Sequence, residues 1–122
     1  MSKNISLLGS IDNSKIDDYL SKADIFILMS RNEGLPISII EAMREGLPVI
    51  STNISGIPEL IENGNNGILL EPDVSQLTNL LNHIDLYNWK VMGESSKKIY
   101  KEKFTLDRMF SEYCEMYNSL FI

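Results

Sequence analysis

Short apolar runs alternate along this chain with stretches whose apolar residues recur every three or four positions, a pattern that predicts strands alternating with helices. Ile5-Ser6-Leu7-Leu8 predicts a buried strand stopped by Gly9. Asp12 to Ser21 predicts a short helix, with Ile16, Tyr19 and Leu20 on one face. Ile25-Phe26-Ile27-Leu28-Met29 is apolar throughout, as in a parallel strand covered on both faces. A helix is expected from Pro36 to about Glu45, because proline suits a first turn and Gly46 followed by Pro48 supplies a stop. Pro48 to Ser51 reads as the next strand and Pro58 to Glu62 as a short helix ended by Asn63-Gly64. Gly67 to Leu70 reads as a last short strand.

Beyond this point the pattern is helical only. Asp73-Val74-Ser75-Gln76 has the spacing of a capping box and opens a helix whose apolar face is Leu77, Leu80, Leu81 and Ile84. Two more helical stretches follow, about Asn88 to Lys103 and Leu106 to Leu120, with Thr105 as candidate N-cap between them. Leu106, Phe110, Tyr113, Tyr117 and Leu120 make a wide apolar stripe that reads as a packing face or an interface. The fold class is therefore α/β, a parallel sheet with flanking helices and a helical C-terminal third. No repeat or linker divides the 122 residues, which read as one domain, 1–122.

Composition narrows the classes. Hydrophobic residues make up 43% and charged residues 23%, the balance of a soluble globular chain. The net charge of -6 and the lack of a basic stripe with interleaved aromatics argue against nucleic acid as a partner. Cys114 is alone, so no internal disulfide forms and a reduced compartment fits; its helical neighbourhood favours a packed thiol. The apolar start is too short for a signal peptide, no segment approaches a membrane span, and the sequons at Asn4 and Asn53 read as accidental. No His/Asp ligand cluster is visible, so no metal is expected. His83, the single histidine, reads as an exposed or capping residue, and Trp89 as packing a helix face.

The candidate chemistry lies between Ser30 and Glu41. A strand leads into a loop holding Glu33 and Gly34, and a helix then begins at Pro36 and carries Glu41 in its second turn. In α/β proteins ligands bind at this corner, where parallel strands end and helices begin. Such a corner can serve a nucleotide sugar. Amides of Leu35, Ile37 and Ser38 near a helix start suit a diphosphate, whereas Pro36 has no N–H to give. An ionised carboxylate can accept two hydrogen bonds from a ribose diol. Gly34 permits close backbone approach. Spacing alone leaves a second reading open, in which Glu33 and Glu41 are simply solvated.

The wording of the sequence adds to this. Glu33-Gly34-Leu35-Pro36 through Glu41-Ala42-Met43, then Gly46-Leu47-Pro48-Val49-Ile50-Ser51, Gly56-Ile57-Pro58-Glu59-Leu60-Ile61 and Asn66-Gly67-Ile68-Leu69 closely resemble the retaining glycosyltransferases of family 4, the "glycosyl transferases group 1" domain. The resemblance runs from Asn4 to Ile84. It implies the C-terminal part of a GT-B fold, in which two Rossmann-like domains face a cleft. Glu33 and Glu41 match the family's E-x7-E pair. The resemblance puts Glu33 at the donor sugar and reaction centre, as the catalytic residue, and Glu41 on the ribose hydroxyls. Gly34 and Leu35 are expected to offer backbone contacts near sugar and diphosphate, with Ser30 shaping the pocket and the Leu8-Gly9 turn near the base. Glu59 matches a recurrent glutamate and reads as a helix-start residue.

The expected reaction passes a sugar from a nucleotide diphosphate sugar, with no further cofactor, to a hydroxyl acceptor on a glycan or lipid carrier, with retention. Polysaccharide biosynthesis in the cytoplasm, peripheral at the inner membrane face, is the family-level expectation. The chain departs from the family by truncation: the N-terminal domain, two strand-helix units and their basic Arg/Lys pair have no equivalent, and Lys3, Lys15 and Lys22 read as surface residues. In the Rossmann order 3-2-1-4-5-6 the chain supplies strands 3, 4, 5 and 6, which leaves the Ile25–Met29 strand with an apolar edge. Three outcomes follow: the Ile5 strand pairs with it, a second chain covers it, or the fragment is marginally stable. A catalytically inactive remnant or partner subunit with weak nucleotide binding is the alternative function, and a nucleotide-sugar epimerase of the same general fold fits the blocks less well.

Overall fold

The computed structural model describes Gly9 and residues 13–29, 37–54 and 56–103. The expected strand Ile5–Leu8, the Ser30–Pro36 corner, Cys114 and the helix Leu106–Leu120 with Thr105 lie outside these residues. Within them the chain runs α1 (Asn13–Ser21), β1 (Phe26–Leu28), α2 (Ile37–Arg44), β2 (Val49–Thr52), α3 (Ile57–Leu60), β3 (Gly67–Leu70), α4 (Val74–Asn82), a 3-10 turn (Ile84–Leu86) and α5 (Trp89–Lys103). The three strands form a parallel sheet in the order β1-β2-β3. Phe26 pairs with Val49 and Leu28 with Ser51, and Val49 pairs in turn with Gly67 and Thr52 with Leu70. This is the order expected for strands 4, 5 and 6, and among the described residues no strand lies on the outer side of β1.

Side chains of β2 alternate between two cores, as a pleated strand requires. Val49 joins Ile39, Met43, Leu47, Ile57, Leu60 and Ile99 on one face, with Phe26 and Leu28 packed against them. Ile50 faces the other way, to Ile68, Leu80 and Met92, with Leu77 and Trp89 alongside. All four residues of β2 are buried. β1 differs from the sequence expectation of a strand covered on both faces: Ile27 is 42% exposed. An apolar run records compatibility with burial; the cover has to come from neighbours, which β2 has on both sides.

Helix ends follow local chemistry. α2 stops in a Schellman motif, in which Gly46, at φ 77°, donates to the Met43 carbonyl and Leu47 to that of Ala42. α3 ends two residues earlier than expected, because Ile61 turns extended while the Asn66 side chain takes over the Leu60 carbonyl and the Glu62 N–H. At α4, Asp73 caps as expected, accepting from the Ser75 N–H at 2.9 Å. The reciprocal half of the box is different: Gln76 Oε1 accepts from the Glu71 N–H, not from the cap residue's own. Of the expected α4 face only Leu80 is buried, since Leu81 is exposed and Ile84 sits in the 3-10 turn. In α1, Leu20 packs on the core while Tyr19 is exposed. Trp89 packs on the core as expected and donates to the Ile84 carbonyl at 2.7 Å. His83 caps α4 through Nδ1 and the Asn79 carbonyl, 2.8 Å apart.

The Ser75 N–H and hydroxyl hold the Asp73 carboxyl below the usual carboxylate range. A depressed folded value means the cap stabilises α4 above the unfolded pKa of about 3.9 and loses that contribution as pH falls through the lower folded value. Asp73→Asn keeps an acceptor that cannot titrate. Its urea midpoint is therefore expected to show less loss than the parent on going from about pH 5 to about pH 2.

α5 locks onto α2 through Gly93. A Cβ there would meet the Gly46 carbonyl oxygen at 2.4 Å and Pro48 Cδ at 3.3 Å. Alanine gains about 1 kcal/mol as a helix former, but forcing two backbones apart costs more, about 2–3 kcal/mol or above. Gly93→Ala is therefore expected to destabilise, read as a lower urea midpoint at unchanged slope.

Candidate functional site

A parallel β-α-β unit sends its chain out of the C-terminal end of one strand and into the N-terminus of the next helix. Here β1 ends at Leu28, α2 begins at Ile37, and α2 returns the chain to β2. The α2 N-terminus and the C-terminal ends of β1 and β2 thus belong to one corner of the sheet. Serine and threonine replace apolar residues where β2 approaches it. Ser51 is fully buried and its hydroxyl donates to the Leu28 carbonyl at 2.6 Å. Thr52 is buried beside it, and the Asn53 N–H donates to the Leu70 carbonyl at 2.8 Å, which ties the ends of β2 and β3.

Glu41 lies in the second turn of α2, half-buried, between the buried Ile40 and Ala42. Among the described residues no side chain pairs with its carboxylate. The next acidic residue along the chain, Glu45, lies near Arg44 at 4.0 Å, and Arg44 also pairs with Asp17 of α1. Ile37 and Ser38, at the helix start, are exposed. Of the sequence-derived site residues, Glu41 is the one that the described structure positions. Ser30, Glu33, Gly34 and Leu35 lie outside the described residues, and the Leu8–Gly9 turn is represented by an exposed Gly9 at φ 65°.

Glu59 stands in the first turn of α3, exposed, which agrees with a helix-start role. Lys15 is exposed, and Lys22 is an exposed partner of Asp18 at 3.3 Å. Among the described residues no three His, Cys, Asp or Glu side chains converge as a metal site, and no helix is long and apolar enough to cross a membrane.

Sequence reasoning did not single out the buried polar residues Ser51, Thr52, Asn66 and Ser96. Ser51 carried a signal, a hydroxyl inside an otherwise apolar strand. Asn66 was legible only as part of a motif. Its side chain holds α3's end, and its carbonyl accepts both the Val49 N–H and the Ser96 hydroxyl, at 3.2 and 3.0 Å. These bonds lie at the opposite ends of β2 and β3 from Ser51.

The model of one protein family, described as glycosyl transferases group 1, matches residues 1–104. The amylovoran biosynthesis glycosyltransferase AmsK of Erwinia amylovora is 43% identical over 84 residues, covering 63% of this chain and 21% of that protein. Among solved structures, sucrose-phosphate synthase from Thermosynechococcus elongatus superposes with a TM-score of 0.85 at 24% identity, over 95% of this chain and 30% of that one. The Anabaena protein Alr3699/HepE, solved in complex with UDP-glucose, superposes with a TM-score of 0.77 at 26% identity, over 85% of this chain and 30% of that one. The chain spans about a third or less of the length of the curated relatives it matches. The described architecture is that of the C-terminal domain of GT-B glycosyltransferases.

Proposed function

The chain belongs to the group 1 glycosyltransferases, and from that premise we propose that residues 1–122 form the donor half-site of a retaining family 4 enzyme that works on a surface polysaccharide or related glycan. The observation that carries the reading is Glu41, a half-buried carboxylate without a described partner on the helix that opens at the strand ends. A carboxylate so placed can accept both hydroxyls of a ribose. The α2 N-terminus adds N–H donors and the positive end of a helix dipole for the diphosphate. Glu33, eight residues earlier, serves the sugar and the reaction centre, with Ser30, Gly34 and Leu35 completing the pocket.

The donor is a nucleotide diphosphate sugar. Alr3699/HepE, the relative solved with UDP-glucose, makes a uridine nucleotide the first to test. The acceptor is a hydroxyl on a glycan or lipid-linked sugar, and AmsK, a biosynthetic glycosyltransferase for a polysaccharide, supports that class. In this reading catalysis rests on positioning and on stabilising negative charge as the diphosphate departs. The reaction belongs in the cytoplasm, where Cys114 stays reduced, and at the inner membrane face when the acceptor is lipid-linked.

The test is an amide-resolved NMR titration of the chain with UDP, GDP and ADP. Shifts are expected to concentrate between Ser30 and Glu41 and to single out one base. A folded spectrum that responds to none of the three, or responds only around α4, would refute a donor half-site in this chain.

A further inference from the structure

The hydroxyl of Ser51 does something that the backbone ladder of a parallel sheet does not require. It donates at 2.6 Å to the carbonyl of Leu28, the last residue of β1, from a side chain with no solvent exposure. Leu28 is the cross-strand partner of Ser51, so the bond clamps together the two strand ends from which the donor corner departs. β1 has need of such a clamp. It is three residues long, Ile27 is 42% exposed, and β2 is its one strand neighbour among the described residues. An alanine at this site would leave the buried packing nearly unchanged and remove the clamp.

We propose that Ser51 is a positioning residue for the donor corner: its bond to Leu28 fixes the C-terminal end of β1 against β2, beside the start of α2, without touching the nucleotide itself. The inference rests on the donor half-site reading above. A strand end already fixed beside the site gives up less conformational freedom on binding, so the clamp contributes to nucleotide affinity through preorganisation. A residue that served stability alone would change the melting temperature and leave affinity as it was.

Ser96 supplies the matched comparison. It too is fully buried and donates its hydroxyl to a backbone carbonyl, that of Asn66, at 3.0 Å. That bond lies at the far ends of the strands. The experiment measures UDP, GDP and ADP binding to the 122-residue chain, its Ser51→Ala variant and its Ser96→Ala variant, with melting temperatures and the Leu28 carbonyl ¹³C shift. Expected is a loss of about fivefold or more in nucleotide affinity for Ser51→Ala, on the scale of one neutral hydrogen bond. The Leu28 carbonyl resonance should move with it, while Ser96→Ala lowers the melting temperature and keeps its affinity. Unchanged affinity in Ser51→Ala, or equal weakening in both variants, would overturn the proposal and leave the donor site standing. Failure of the unaltered chain to bind any of the three nucleotides would instead reject the donor site, and this inference with it.

Discussion

Gly67→Ala is expected to remove the native fold or leave it barely populated. A Cβ on Gly67 would stand 2.0 Å from the Val49 carbonyl oxygen, 2.9 Å from its carbon and 3.1 Å from its nitrogen. All three are backbone atoms, and Val49 is the direct partner of Gly67 in the sheet. A flexible side chain could rotate away from such a contact; a paired strand cannot. Val49 is fully buried in the middle strand, so relief would need β2 and β3 to separate, breaking the ladder and both cores at once. Ordinary overpacking costs about 1–3 kcal/mol. A backbone collision at the sheet centre exceeds that range, against a total stability of about 5–15 kcal/mol for a domain. Gly64 is the control. It has φ 87° and open space where a Cβ would go, so Gly64→Ala pays only the left-handed backbone penalty of about 1–2 kcal/mol. Urea unfolding followed by circular dichroism separates them: Gly64→Ala keeps a cooperative transition at a lower midpoint, and Gly67→Ala has none or one shifted much further. Comparable midpoints for the two would mean that β2 and β3 do not approach as closely as described.

Glu41→Ala is expected to weaken nucleotide diphosphate binding at least about tenfold, since hydrogen bonds to a charged group are worth about 1.5–3 kcal/mol each way. Its stability should stay within about 0.5 kcal/mol of the parent, because no described side chain leans on the carboxylate. Glu41→Gln separates charge from geometry: it retains one acceptor oxygen and loses the ionic part, so its affinity should fall between the two. Glu45→Ala is the control four residues further on, just past the end of α2, where the side chain lies near Arg44. It is expected to bind as the parent does. Calorimetric titration with the nucleotide selected by the NMR screen reads all four proteins. Equal affinities for Glu41→Ala and the parent would remove Glu41 from the site, whatever the rest of the corner does.

Gly67 and Glu41 carry different kinds of information in the chain. Gly67 stood in the sequence as part of a motif, and periodicity correctly made it the first residue of a strand. The distance to Val49 that makes it irreplaceable belongs to the pairing of two strands eighteen positions apart. Gly93 is similar. Helix propensity recommends against glycine in α5, and only the approach of Gly46 and Pro48 explains its presence. Glu41 was legible in both respects, as a residue type and as a position on a helix, because the E-x7-E spacing lies within one strand-loop-helix passage. The remaining members of that corner, Ser30, Glu33, Gly34 and Leu35, are known through the sequence alone.

Local chemistry was sufficient for the alternation of strands and helices, the parallel α/β class, the Gly46 stop of α2 and the Asp73 cap of α4. Each depends on residues within a few positions of one another, where dihedral preferences and side-chain hydrogen bonds act directly. The family was legible for the same reason, since its motifs are short and occur in order. Tertiary structure alone decided which apolar run is truly enclosed, β2 and not β1, because burial depends on what packs against a strand and not on the strand's own composition. It also decided that Asn66 ends α3 and that Ser51 reaches Leu28 across 23 positions. A side-chain hydrogen bond takes whatever carbonyl folding brings within 3 Å, and only the assembled sheet determines which one that is.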